Sequence, residues 1–278
     1  MIGSIRVTNN LNRLAVFTHD LSISDLNQQV IGHTLRVIRD TLGVMLAGAT
    51  LSEIRGLAEK ASILGGPGRS TLMGRQERTS AHFAAFVNGT GAVSLELDEG
   101  NQYAINHPGV HLFPAAFALA EDQRSSGSEL LIGFLAGYEV AVRVGRATHL
   151  REAVHPFGTH AILGTAAAAS RLLKLDVEEI VQALNLAAGI CIASSQTAAN
   201  AGASVRNLVT GLTNENGLLA PMLVRAGFTG EPDSLNVIFG RILGDSFKED
   251  ALGDDLGREF YITPLLSKIN SEKNRPFL

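Results

Sequence analysis

The chain has a single cysteine, Cys191, which excludes an internal disulfide. It sits in the apolar run Ala187–Ala193 and reads as a buried structural thiol rather than a nucleophile. Charged residues are scarce, at 18%, and no stripe of lysine and arginine interleaved with aromatics occurs, so nucleic acid is not an expected partner. Unbroken apolar runs stop short of the about 18 residues that span a bilayer. The opening residues Met1–Arg6 lack the basic-then-apolar layout of a signal peptide. A cytoplasmic protein without a membrane partner is the expectation. There is also no zinc-type spacing, no phosphate loop and no dinucleotide fingerprint, so any chemistry is expected to proceed with no cofactor and no metal.

What the chain does have is apolar residues, 45% of its 278, with a positive mean hydropathy of +0.16 and a formal charge of −4. That balance suits a compact, helix-rich protein that oligomerises. After a polar lead-in over residues 1–24, Ser24-Asp25 is placed to cap a helix from Leu26 to about Ala49. Gly43 and Gly48 within it suggest close approach of a neighbouring backbone. Further helices are expected over Ser52–Leu64, Arg78–Asn88, from Pro108, from Ser128 to about His149, over Ala161–Leu173, Val177–Ala193 and Ala203–Ala226, with a short strand at Arg69–Met73. The alanine-rich segment Ala166–Ala169 offers a face for tight helix contact. Little of the chain alternates with period two, so the fold class is all-α, a helical bundle. Beyond Leu243 the pattern turns polar, and residues 246–278 read as an extension or a cut-off domain.

Three segments carry the candidate chemistry. The first, Glu96 to Gly109, gathers Glu96, Asp98, Glu99 and Asn101 ahead of a His107-Pro108 step. Proline suits the first helical position and extends the residue before it, so His107 should stand at a helix mouth, where the positive end disfavours a protonated ring. It is then either a neutral base or simply a solvated helix start. The second, His155-Pro156-Phe157-Gly158-Thr159-His160, repeats the histidine, proline, glycine, helix order. The third is Ser204-Val205-Arg206-Asn207, whose arginine needs an anionic partner, internal or bound. Converged, two histidines, two helix starts and a guanidinium would suit a small polycarboxylate.

These segments, with Gly202–Asn207 and Arg225–Gly230, resemble the MmgE/PrpD family, in its order and register from about Asp25 to Gly244. The family includes 2-methylcitrate dehydratases, cis-aconitate decarboxylases and iminodisuccinate epimerases. The resemblance implies a helical domain over residues 25–245 that forms a homodimer, joined to an α+β lid, with a cofactor-free site for di- or tricarboxylates. It implies His107, His155 and Asp98 as catalytic residues, with Glu96, Asn101, His160, Arg206 and Asn207 binding substrate. Arg206 falls where decarboxylase members carry lysine, and arginine does not donate a proton at ordinary pH. Phe260–Thr263 resembles the entry to the lid, which residues 264–278 do not continue, so the lid is expected to be truncated or missing. The leading expectation is a dehydratase-like lyase acting on a methylcitrate-like acid. An epimerase working beside a carboxylate and an inactive dimerising remnant are the alternatives.

Overall fold

The computed structural model describes residues 9–263. They form a mostly helical domain: α1 (Asn9–Asp20), α2 (Gln28–Gly48), α3 (Ser52–Leu64), α4 (Ala81–Val93), α5 (Pro108–Gln123), α6 (Gly127–Ala147), α7 (Ala161–Leu172), α8 (Val177–Gly189), the short α9 (Gln196–Asn200), α10 (Val205–Arg225), and the single turns α11 (Ser234–Val237) and α12 (Asp250–Gly253). Three two-stranded antiparallel pairs depart from the all-α expectation. They join β1 (Ser70–Thr71) to β2 (Arg78–Thr79), β3 (Thr148–Leu150) to β6 (Gly244–Phe247), and β4 (Val154–His155) to β5 (Ser194–Ser195). Among the described residues no helix is long and apolar enough to cross a membrane.

The helices α5 and α7 lie at the centre, packed against each other and against α6 and α10, with α4 on α5. Both are apolar nearly all round, from Val110 to Ala120 and from Ala161 to Ala169, which is the signature of a helix enclosed on every side. The alanine-rich face of α7 meets α6 through glycine. A Cβ on Gly137 would lie 2.3 Å from the carbonyl oxygen of Gly164, and one on Gly164 would lie 2.5 Å from that of Gly137. At the other side of the domain Gly48 approaches α4 so closely that a Cβ would fall 1.9 Å from the Gly91 carbonyl oxygen, whereas a Cβ on Gly43 meets nothing within 4 Å. The close approach expected for both glycines therefore holds at Gly48 alone. Gly48→Ala is expected to destabilise the domain by at least about 1–3 kcal/mol through overpacking. Gly43→Ala is expected to gain up to about 1 kcal/mol of helix propensity. Urea unfolding midpoints of the two variants check the opposite signs.

Helix ends follow local chemistry. Ser126 and Glu129 form a reciprocal capping box on α6, as Asp176 and Glu179 do on α8. For α2 the cap is Asn27, whose side chain accepts the Val30 N–H at 2.9 Å. The Ser24-Asp25 pair expected there is instead part of a single 3-10 turn, Ile23–Asp25. The lead-in also holds a helix: Leu11, Leu14 and Ala15 of α1 share a face buried on α8. Residues 1–8 and 264–278 lie outside the described range, and with them the end of the expected tail. The part of it that is described, 246–263, packs on the helical core, with Leu252, Phe260, Tyr261 and Ile262 buried.

That docking is polar as well as apolar. Glu139 and Arg143 of α6, both buried, lie 3.8 Å apart as an i,i+4 pair. The Glu139 carboxylate accepts the Ile262 N–H at 3.1 Å, and Arg143 donates to the carbonyls of Asp254 and Glu259. The Tyr261 ring lies beneath two guanidiniums, those of Arg143 at 4.7 Å and Arg146 at 4.5 Å, and its hydroxyl accepts from Arg146 at 2.5 Å. Burial raises the Glu139 carboxyl to about 7 in spite of Arg143 and the two backbone N–H groups beside it.

Candidate active site

One buried phenyl ring organises the site. Phe157 follows β4, whose pairing sets Val154 opposite Ser195 and His155 opposite Ser194. Around its ring stand His155 and His111, each with ring centroids 4.6 Å away, and His107 at 5.4 Å, all edge-on. The Arg206 guanidinium lies over the ring face at 4.3 Å. Segments some fifty residues apart along the chain thus converge on a single aromatic side chain. The tight turn that follows needs Gly158, with φ of +89° and no room for a Cβ beside the Ile192 carbonyl at 2.6 Å.

His107 caps α5, ahead of Pro108. Its Nδ1 lies 2.8 Å from Oδ2 of Asp98, a carboxylate that is itself buried, while the imidazole keeps 35% of its surface exposed. Burial works against charging this ring, but contact with Asp98 and the fields of Asp98 and Glu99 outweigh it and, against Arg206, hold it above the ordinary histidine value. The lowering expected from the helix end is thus opposed by the two carboxylates beside the ring, which act in the other direction. With Nδ1 turned to Asp98, Nε2 is the atom left to exchange a proton, the orientation an acid partner imposes on imidazole.

His155 differs. Burial first, then Arg206 and His107, lower it to about 4. Its Nδ1 accepts the Phe157 N–H at 3.2 Å, so the neutral ring carries its proton on Nε2 and presents a donor. It stands on β4 and not at a helix mouth, since α7 begins only at Ala161. Arg206 is met by an internal carboxylate, pairing through both terminal nitrogens with Glu96, one of them at 3.1 Å. Glu96 is on the exposed rim, with a left-handed backbone at φ 54°.

The other expected binding residues are placed elsewhere. Asn101 is buried and fully engaged: its amide donates to the Tyr138 hydroxyl at 3.0 Å and the Tyr261 carbonyl at 2.9 Å, and its oxygen accepts from the Tyr103 and Ala104 N–H groups. His160 is enclosed, its Nε2 accepting from Asn106 at 3.2 Å, and burial takes it to about 4. Asn207 lines a separate cleft of about 370 Å³ between α3, α4 and the start of α10. Asn101 and His160 are thus engaged by internal partners, and Asn207 lines a cleft apart from the group around Phe157. Cys191 is half-buried and burial pushes its thiol up to about 12, which disfavours a thiolate. Among the described residues no three His, Cys, Asp or Glu side chains group as a metal site.

Four participants have no assigned role in the sequence reading: Phe157, His111, Glu99 and Tyr138. Burial lowers His111 to about 3, and its Nδ1 donates to the His107 carbonyl at 2.8 Å. Glu99 is partly buried, and its loss of solvent raises the carboxyl, while the Tyr138 hydroxyl and the Gly109 N–H at 3.1 Å donate to it and oppose the rise. The one signal available for these groups is that Glu99 directly follows Asp98 and His111 lies one helical turn beyond His107.

A helical domain that gathers three imidazoles and a guanidinium around one phenyl ring is the class that fold and site define. The chain belongs to the MmgE/PrpD family, matching its N-terminal domain over residues 12–242. It is similar to cis-aconitate decarboxylase of Homo sapiens, 30% identical over 81% of this chain and 48% of the relative, and of Mus musculus, 29% identical over 79% and 46%. A cis-aconitate decarboxylase-like protein of Aspergillus oryzae is 25% identical over 91% of this chain and 56% of its own length. The chain thus spans about half the length of the curated relatives it matches.

Proposed function

We propose that this domain supplies the proton-transfer half of a cofactor-independent, dehydratase-like lyase acting on a small di- or tricarboxylate, within a homodimer. The gathering of His107, His155 and Arg206 on Phe157 carries the reading. His107 Nε2 takes the proton from the carbon next to a carboxylate, and Asp98 stabilises the imidazolium that forms. The C–H electron pair becomes the new double bond as the neighbouring C–O bond breaks, and the departing hydroxide takes the proton that His107 carries and leaves as water, which returns the imidazole to its neutral form. His155 Nε2–H donates to the charge developing on the carboxylate. Arg206, exchanging Glu96 for substrate, anchors a second carboxylate.

The relatives' name favours a second reading, decarboxylation. The C–C bond to a carboxylate breaks, carbon dioxide leaves, and protonated His107 returns a proton to the carbon holding the electron pair. Incubation of the protein with 2-methylcitrate and with cis-aconitate in deuterated water, followed by proton NMR, separates the two. The lyase reading expects loss of water and deuterium exchange next to the carboxylate. Carbon dioxide release supports the second reading, and no exchange with either acid removes both.

The anchor has its own test. Arg206→Lys is expected to raise KM about 10-fold or more with a smaller effect on kcat, because an ammonium does not reproduce the two-pronged carboxylate contact. Steady-state kinetics over substrate concentration resolves the split.

A further inference from the structure

A buried polar chain leads from the segment Glu259–Thr263 to the candidate site. At its far end Tyr261 is seated under Arg143 and Arg146, and its carbonyl accepts one amide hydrogen of Asn101 at 2.9 Å. The other hydrogen of that amide goes to the Tyr138 hydroxyl at 3.0 Å, which in turn donates to Glu99. Glu99 accepts the Gly109 N–H on its second oxygen, two residues beyond His107. Asn101 also closes the loop that delivers His107. Its N–H donates to the Asn106 carbonyl at 2.9 Å, and the Asn106 side chain accepts the His107 N–H at 2.8 Å. Tyr138 and Asn101 are buried, so no water substitutes cheaply for either of them, while Glu99 is partly buried.

We propose that Asn101 and Tyr138 are positioning residues that tie the seating of the Tyr261 segment to the orientation and charge environment of the His107 imidazole. The catalytic consequence rests on the reading of His107 as the proton-transfer group; the coupling itself does not. When the segment is seated, Asn101 holds the Tyr138 hydroxyl toward Glu99, and Glu99 stays in its hydrogen-bonded form behind the imidazole. When the segment lifts, the Asn101 amide loses its carbonyl partner, and with it one restraint on the residue whose N–H closes the loop from Asn101 to His107.

The test follows the His107 ring by proton–nitrogen NMR through a pH titration of the 278-residue chain, without substrate. The groups facing that ring are Asp98 and Glu99 on its own loop, His111 on α5, His155 on β4 and Arg206 on α10. None of these is altered by the variants. Tyr138→Phe deletes only the hydroxyl, and Tyr261→Leu removes the ring that seats the segment. Each is expected to lower the His107 midpoint by about 0.5 unit or more, and the double variant by no more than either alone, because both act through one chain of contacts. Should Tyr261→Leu fold poorly, Arg146→Met loosens the same ring with a smaller change. The proposal is overturned if hydrogen exchange shows the 259–263 segment released while the His107 midpoint stays in place, or if the two substitutions shift it additively. A shift without any proton exchange on 2-methylcitrate or cis-aconitate would keep the coupling and remove the lyase reading.

Discussion

Acidification from pH 7 to 4 is expected to weaken this domain, and the His160→Gln variant should lose less stability than the parent over the same interval. In the unfolded chain histidine titrates near 6.5, whereas in the folded one His111 titrates at about 3 and His160 at about 4. Between those values the unfolded chain binds more protons, so stability is present above pH 6.5 and withdrawn as pH falls toward the folded values. Down to pH 4 each of these two fully buried rings withdraws on the order of 3 kcal/mol. His155, lowered to about 4, acts in the same direction. Glu99 and Glu139 act in the opposite one, since burial raises both and the folded form then holds the proton longer. Urea unfolding followed by far-ultraviolet circular dichroism at each pH measures the slope. A parent and a His160→Gln variant with equal slopes would mean that His160 is charged in the folded state.

The second large effect is on turnover. His107→Asn is expected to lower kcat on the accepted polycarboxylate by about 10²–10⁴-fold, the range over which a positioned acid–base group acts. Asparagine keeps a polar side chain at the helix start, so the fold should persist. Asp98→Asn should reduce kcat by a smaller factor and shift the pH profile toward acid, because the imidazolium loses its nearest counter-charge. A His107→Asn protein with unimpaired turnover would move the proton transfer to another group and leave Asp98 as a structural acid. Circular dichroism of each variant separates lost chemistry from lost structure.

Much of the helical frame was legible from local signals. The helix Ser52–Leu64 is bounded by a serine start and the Gly65-Gly66 break, and α6 opens on the Ser126-to-Glu129 box. His107 at the mouth of α5 was likewise readable from the His-Pro step. The helix α1 was obscured because the apolar part of its buried face is small, Leu11, Leu14 and Ala15 beside the buried Thr18, and the cluster it completes comes from more than 100 residues away. The roles of Asn101 and His160 were not legible for a different reason. A polar side chain looks equally fit for ligand or for protein in sequence, and only the partners decide. Here they are Tyr261, 160 positions on from Asn101, and Asn106, 54 positions from His160. Phe157 was hidden by being apolar, since nothing in a phenylalanine announces that three imidazoles and a guanidinium will share its ring.

That shared ring limits how the domain can be reshaped. An attempt to retune acid preference by exchanging Arg206, His155 or His107 singly would disturb the other two through Phe157, so useful variation is channelled to the periphery. Glu96 sits there, exposed and holding the guanidinium from outside. Directed libraries should begin at that outer carboxylate, where the reach of the arginine can be altered without touching the aromatic pivot.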